Sequence, residues 1–357
     1  MAKTNSLARC GTAAPKTYDP LRWLQKQYDA TKRKLTFPYG HPEKVAAWRR
    51  QLRPALGNAL GFPRYQPAPL KPKLIATERG DGFVRRSYEM ETMPGLKTLV
   101  FVILPTNAFR PRPGIVCCTG HTQSVNELVG LAPDGKDREL FTGYQRDFAV
   151  QAAREGFVAA AHEQIAWGRR QAFAHKKKWP NVHGCWQIAM VALQLGMTLP
   201  GLRAFEAIRV GDFLRTLPEV NPKRIGITGI SSGGNVCLFA GAMDERFTAV
   251  VTSGYFCTFR DSIIAQYHCM DHYVPGLGQL AEMSDVAALV APRAFMAETG
   301  TKDGGFPVKA VKRSFAKLQA AYKTMGVPDR CKLHVFDGPH QWDGSQAWPW
   351  FHRFLDA

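Results

Sequence analysis

Two hydrophobic patterns mark the first part of the chain. Residues 17–35 and 41–61 carry apolar side chains at helical spacing, and the second run ends at a glycine. Both stretches are therefore predicted to be helices. Residues 73–105 instead alternate apolar and polar side chains around turn sequences at 80–82 and 94–95. This alternation predicts an antiparallel meander of strands.

Short apolar runs alternate with helical segments through the rest of the chain. The apolar runs are PGIVCCTG, FVAAAHE, RIGITGI, FTAVVTSGYF, PRAFMAETG and CKLHVFDG. Buried strands that alternate with helices indicate a parallel sheet. The predicted fold class is α/β, with a mostly parallel central sheet flanked by helices and a helical extension at the N-terminal end.

The domain organisation follows from these patterns. The 357 residues contain no low-complexity break and are enough to bury one large core. We expect a flexible tail at 1–15, a helical cap at 16–70 and an α/β catalytic domain at 71–357. Segments at about 164–200 and 258–285 interrupt the alternation, and we expect them to be lid-like insertions that carry substrate pockets.

Composition narrows the class of protein. Hydrophobic residues make up 45% and charged residues 21% of the chain, which is typical of soluble globular proteins. No apolar run is long enough to cross a bilayer, so no transmembrane segment is expected. The chain as given has no secretory signal pattern, and its eight cysteines contain no CxxC pair. A cytoplasmic, reducing location is the simpler expectation.

The net charge is the unusual bulk property. Forty-seven basic residues against 29 acidic residues give a formal charge of +18, which could attract nucleic acid or another polyanion. The basic residues are spread in short groups, however, without a basic helix. We therefore interpret them as a solvated surface and expect no nucleic-acid partner. The sequence does not indicate an oligomeric state.

A serine motif follows the run RIGITGI. Gly229, Ser231 and Gly233 fit the G-x-S-x-G pattern, and the surrounding sequence predicts a strand, a tight turn and a helix. This is the context of a nucleophile elbow, in which the residues two before and two after the serine must be small. Ser232 has Ile230 two positions before it, and a branched side chain does not fit there. Ser231 is the predicted nucleophile.

An acid and a base follow the serine in the order that this motif requires. Catalytic serines of this kind precede their acid, which precedes their histidine. Asp303 follows the run PRAFMAETG, and His340 follows CKLHVFDG. Glu298 lies within a predicted strand, and Asp337 is three residues before His340, where a turn former is expected. Asp303 and His340 are therefore the predicted acid and base.

Backbone N–H groups and aromatic side chains complete the predicted site. The N–H of Ser232 at a helix start, and that of His121 after PGIVCCTG, are the predicted oxyanion-hole donors. Aromatic residues near these loops could form an acyl or sugar-binding pocket, although ordinary core packing explains them equally well. They are Tyr144, Trp167, Tyr255, Phe256 and Trp342.

Other histidines could also line the cleft. They are His121, His162, His268 and His272. No pair of them has the spacing of a zinc-binding helix such as H-E-x-x-H. We therefore expect neither a metal ion nor a cofactor.

Together these motifs resemble the α/β-hydrolase superfamily, and within it the acetyl xylan esterase and dienelactone-hydrolase-related branch. The resemblance rests on GLRAFEAIRVGDFLRTLPEVNPKRIGITGISSGG, HYVPGL, ETGTKDGGFPV and VFDGPHQW, and it covers most of residues 40–355. It implies a serine carboxylic-ester hydrolase without a cofactor, acting through an acyl-enzyme on a small-molecule or oligosaccharide ester. Such enzymes often carry Gly-His-Gly at the first oxyanion loop, where this chain has Thr119-Gly120-His121. Residues 161–184 are also specific to this chain, so the substrate cannot be inferred from the family.

Two other functions remain open at this point. The same triad could cleave an amide or peptide bond, since the fold supports both reactions. Alternatively, the basic chain could be a non-catalytic protein that binds polyanions on a hydrolase fold.

Overall fold

The computed structural model of the protein describes residues 16–106, 111–138, 143–172, 177 and 184–356. The predicted tail at 1–15 lies outside the described residues. So do residues 173–176 and 178–183 of the first predicted insertion.

A single sheet forms the centre of the described structure, in the order β1-β2-β3-β5-β4-β6-β7-β8-β9. Its strands are β1 (Lys73–Gly80), β2 (Phe83–Met93), β3 (Leu96–Pro105), β4 (Arg112–Cys118), β5 (Val158–His162), β6 (Val220–Ile230), β7 (Ala249–Ser253), β8 (Ala294–Gly300) and β9 (Cys331–Phe336). The pairs β1–β2, β2–β3 and β3–β5 are antiparallel. The remaining pairs are parallel, so both the predicted meander and the mostly parallel sheet are confirmed.

Helices precede the sheet and connect its strands. They are α1 (Pro20–Ala30), α2 (Pro42–Leu60), α3 (Phe148–Arg154), α4 (Gly184–Gln194), α5 (Leu199–Leu214), α6 (Ser232–Met243), α7 (Leu277–Leu280), α8 (Met283–Ala288), α9 (Val308–Thr324) and α10 (Ala347–Leu355). Helix α3 starts at Phe148 because of the backbone of the two residues before it. Arg146 and Asp147 adopt left-handed backbone angles, with φ of 54° and 49°, which no helical residue can keep.

The helices cover both faces of the sheet because its central strands are apolar on both sides. In β4, Val116 and Cys118 point into one hydrophobic cluster together with Phe213 of α5. Their neighbours Ile115 and Cys117 point into a second cluster on the opposite face. Alternate side chains of a strand face opposite sides, so an unbroken apolar run is what a sheet buried on both faces requires.

The two N-terminal helices differ in how they meet this core. Val45, Trp48, Leu52, Leu56 and Leu60 of α2 are buried at the three- and four-residue spacing of an amphipathic helix. They belong to the same cluster as the sheet residues. Helix α1 has no fully buried residue, and it contributes the partly buried Tyr28 to the same cluster, so α2 carries most of the packing of this region.

The outer edge of the sheet is irregular. Strand β1 is mostly exposed, and its pairing with β2 shifts register between Leu74 and Ala76. Leu74 and Ile75 are exposed there. The strands that position the candidate site lie in the parallel half, well inside this edge.

Among the described residues, no helix taken alone has the length and apolar composition needed to cross a bilayer. Helices α4 and α5 meet that test only as a pair, and they meet at a bend of 95°.

Matched leucine substitutions test whether α2 is part of the core. Leu56 is 0% exposed, so Leu56→Ala should lower the free energy of unfolding by about 2–5 kcal/mol through the cavity that it leaves. Leu24 of α1 is 55% exposed. Leu24→Ala should therefore change the free energy of unfolding by less than about 0.5 kcal/mol. Urea unfolding of both variants measures the difference. Equal effects would contradict the packing described for α2.

Candidate active site

The turn between β6 and α6 holds Ser231 in a strained conformation. Its φ of 59° and ψ of −122° lie in a region that residues with a side chain rarely adopt. The Ser231 N–H donates to the carbonyl of Ser253 on β7 at 2.9 Å. This bond fixes the turn against the neighbouring strand, at the carboxyl end of the parallel sheet.

Two glycines make this turn sterically feasible. A Cβ on Gly229 would lie 2.5 Å from the carbonyl oxygen of Cys118, and one on Gly233 would lie 2.0 Å from the same oxygen. Both distances are far below a normal contact. Ser232 is the first residue of α6, so its N–H is one of those that lack a partner within the helix. Its buried hydroxyl contacts no hydrogen-bonding group among the described residues.

Asp303 and His340 are joined by a hydrogen bond. Their loops follow β8 and β9, and Nδ1 of His340 lies 2.7 Å from Oδ2 of Asp303. The other carboxylate oxygen accepts the N–H groups of Gly305 at 2.9 Å and Phe306 at 3.1 Å. Three partners therefore fix the carboxylate. Because Nδ1 faces Asp303, the other ring nitrogen of His340 remains for proton exchange.

Packing fixes the ring of His340. Tyr144 and Phe306 stack on it with ring centroids at 5.6 Å and 5.9 Å. Gly254 lies against the same ring, and a Cβ on this glycine would be 2.9 Å from Cε1 of His340. His340 and Ser231 line the same cavity.

Glu298 and Asp337, the other candidates for the acid, do not take the place of Asp303 beside His340. Glu298 is buried in β8, where it accepts hydrogen bonds from the hydroxyl of Ser253 at 2.8 Å and from two backbone N–H groups of the loop after His340. Burial raises the pKa of Glu298. Asp337 is exposed and pairs with Lys302 at 3.1 Å. Asp303 is the carboxylate that contacts His340.

The loop after β4 lies against the serine turn. A Cβ on Gly120 would lie 2.7 Å from the carbonyl oxygen of Ile230 and 2.3 Å from Oη of Tyr144. The Gly120 N–H donates to Oε1 of Gln145 at 2.8 Å, and the Tyr144 hydroxyl donates to the carbonyl of His121 at 2.6 Å. The loop that carries His121 is therefore fixed beside the turn, as a second oxyanion donor requires.

A cavity of about 410 Å³ opens over these residues. It is lined by His121, Ser231, Tyr267, His268, Cys269, His272, Gly305, Phe306 and His340. Burial lowers the pKa of His268 and lowers that of His272 to about 3. Both rings are therefore neutral near pH 7, and each can donate one hydrogen bond and accept another.

Most of the aromatic pocket predictions are wrong. Tyr255, Phe256 and Trp342 are at most 1% exposed, because Phe256 packs on Phe295 and Trp342 on Phe148 in the core. Tyr255 stacks beneath His272.

Trp167 is also buried and outside the cavity lining. It packs against His121, with ring centroids at 5.0 Å, and beneath the guanidinium of Arg203. Tyr144 reaches the site through its contact with His340.

Of the other candidate histidines, three line the cavity and one does not. His162 lies in β5, fully buried, and burial lowers its pKa to about 4. The cavity residues that the aromatic predictions missed come largely from the second insertion: Tyr267, His268, Cys269 and His272. The interruption of the helix–strand alternation at 258–285 pointed to this segment, but an irregular loop has no periodicity from which to choose its inward-facing side chains.

A parallel sheet, a strained serine turn after one of its strands and an Asp–His pair after two others are typical of α/β-hydrolases. A family model gives the same class. Residues 24–345 match the model of the Abhydrolase family. The chain therefore belongs to the α/β-hydrolase family.

Individual relatives are more distant. YtaP of Bacillus subtilis, a protein assigned as a hydrolase, is 27% identical over 143 residues, which are 38% of this chain and 47% of YtaP. The chain thus matches about half the length of this relative.

Solved structures share the fold. A protein of Bacteroides fragilis assigned as an acetyl xylan esterase superposes with a TM-score of 0.75 at 19% identity, over 91% of this chain and 84% of the other. A glucuronoyl esterase of Solibacter usitatus gives a TM-score of 0.61 at 17% identity, over 87% and 93% of the two chains. At these identities the likeness establishes the fold.

A glycine substitution tests the close approach at the turn. Gly233→Ala should lower the free energy of unfolding by about 1–3 kcal/mol, because the new methyl group overlaps the backbone of β4. Gly304→Ala is the matched control, since a Cβ there meets nothing within 4 Å. Its free energy of unfolding should stay within about 0.5 kcal/mol of the wild-type value. Alanine normally stabilises a helix relative to glycine, so a gain at position 233 would contradict the described contact.

Proposed function

We propose that this protein is a serine carboxylic-ester hydrolase with Ser231 as nucleophile, His340 as base and Asp303 as acid. The observation that carries the proposal is the 2.7 Å bond between Asp303 and His340 at a cavity that His340 shares with Ser231. The family membership supports it.

The mechanism follows from the roles that these groups can take. With Nδ1–H donated to Asp303, Nε2 of His340 takes the proton of the Ser231 hydroxyl as its oxygen attacks the ester carbonyl. The N–H groups of Ser232 and His121 stabilise the negative oxygen of the tetrahedral intermediate. The alcohol leaves with the proton from His340, and a water activated by the same ring then releases the acid from the acyl-enzyme.

The cavity favours a small ester. A volume of about 410 Å³ is at the lower end of the range for small-molecule sites. Its imidazole and phenol side chains suit an alcohol portion with hydroxyl groups. An acylated sugar is therefore the substrate class that we favour, and the name of one structural relative, an acetyl xylan esterase, agrees with it.

Paired serine variants test the nucleophile. Ser231→Ala should lower kcat on p-nitrophenyl acetate by ~10⁴–10⁶-fold. Ser232→Ala should retain activity within about tenfold, because only its backbone N–H takes part. A serine-reactive phosphonate should label Ser231 in the wild-type chain. Labelling of Ser232, or full turnover by the Ser231 variant, would overturn the assignment.

Paired aspartate variants test the acid. Asp303→Asn should lower kcat by on the order of 10⁴-fold, because the amide no longer holds the required tautomer of His340. Asp337→Asn should leave kcat near the wild-type value, since Asp337 contacts Lys302 at the surface. Steady-state kinetics on the same ester measure both. A comparable loss in the two variants would contradict the proposed roles.

The choice between ester and amide substrates needs its own measurement. Matched p-nitrophenyl esters and aminoacyl p-nitroanilides should give the larger kcat/KM for the esters. Faster cleavage of the anilides would replace the esterase proposal with an amidase that uses the same triad.

A further inference from the structure

A second group of reactive side chains adjoins the cavity, and two of its members, His121 and Cys269, also line it. The group consists of His121, Cys185, Cys269 and Asp271, which we call the Cys/His/Asp cluster. His121 follows β4, Cys185 is the second residue of α4, and the other two lie in the insertion at 258–285. One ligand atom from each residue lies within 4.8 Å of all the others. The triad proposed above uses no side chain of this cluster.

The distances within the cluster approach those of a metal site. Nε2 of His121 lies 3.4 Å from Oδ2 of Asp271, and Sγ of Cys185 lies 4.0 Å from the same oxygen. Zinc–ligand bonds of about 2.0–2.3 Å place tetrahedral ligands roughly 3.3–3.8 Å apart. Small side-chain movements would therefore bring the four ligand atoms around one ion.

We propose that the Cys/His/Asp cluster binds one Zn²⁺ ion. Two thiolates, an imidazole and a carboxylate are a ligand set that zinc accepts in tetrahedral geometry, whereas magnesium and calcium prefer oxygen ligands alone. Four protein ligands leave no open position, so the ion has a structural role.

Arg203 balances the charge of such a site. It is fully buried, and its guanidinium donates to Oδ2 of Asp271 at 2.5 Å and to Sγ of Cys185 at 3.3 Å. Before metal binding, one carboxylate faces one guanidinium. Binding Zn²⁺ adds two positive charges and releases two thiol protons, so the buried site stays neutral in both states. Hydrogen bonds from Arg203 to two of the ligands are also typical support for a metal site.

The ion would join three segments that the sheet does not hold together. It would connect the loop of His121 to the start of α4 and to the second insertion. The Nε2 ligand belongs to the side chain of His121, so its backbone N–H stays available to the active site. The sequence gives no sign of this site because its ligands are 64, 84 and 2 residues apart along the chain.

Metal binding can be measured without any substrate. The reduced full-length chain, freed of metal by a chelator, is titrated with Zn²⁺ and separately with Co²⁺, whose visible and thiolate charge-transfer absorption reports tetrahedral cysteine ligation. We expect one ion per chain. Cys185→Ser and Cys269→Ser should each weaken binding by more than the ~10–100-fold that changes outside the ligand shell produce. Cys331→Ser is the matched control, since Cys331 lies on β9.

The same titration on Ser231→Ala separates this proposal from the proposed hydrolysis. Zinc binding by that variant, with no ester turnover, is expected. Failure of the wild-type chain to retain equimolar zinc under reducing conditions would overturn the metal site and leave the esterase proposal standing. So would a Co²⁺ spectrum that Cys269→Ser does not alter. If the two thiols instead form a disulfide that persists in reductant, the cluster is a covalent link and the zinc proposal fails.

Discussion

The contact between the end of β4 and the turn after β6 is the constraint on which the site depends. Cys118 pairs with Gly229 in the sheet, and its carbonyl oxygen occupies the space that side chains at Gly229 and Gly233 would fill. This approach goes with the sharp bend of the chain at Ser231, and α6 starts at the next residue. It also brings the loop after β4 beside the serine. The proposed nucleophile and the proposed oxyanion loop are thus positioned by one backbone contact.

The sequence predicts those parts of the structure that follow a regular pattern of hydrophobic residues. Apolar runs give the strands of the parallel sheet, because strands buried on both faces need apolar residues at every position. Parallel strands bring their carboxyl ends to one edge, so residues that follow β6, β8 and β9 could be expected to meet. Asp303 and His340 do meet. The small neighbours of Ser231 distinguish it from Ser232 for a steric reason that the structure makes explicit.

The parts that the sequence could not predict are those without a regular hydrophobic pattern. Tyr255 and Phe256 follow a strand end, but their side chains turn into the core rather than the cavity. Arg203 and Glu206 of α5 are charged yet fully buried, because partners from distant segments compensate them: Asp271 for the arginine and Arg170 for the glutamate. Pairing of this kind depends on the folded arrangement and leaves no local pattern.

The outer strand of the sheet has a consequence for how copies of the chain behave in concentrated solution. An exposed edge that carries Leu74 and Ile75 offers unpaired backbone groups to any extended segment that approaches it, which is how sheets of separate molecules fuse. The register shift between Leu74 and Ala76 bends that edge locally and interrupts its row of donors and acceptors. An irregularity of this kind makes the edge a poorer template for a strand of another molecule.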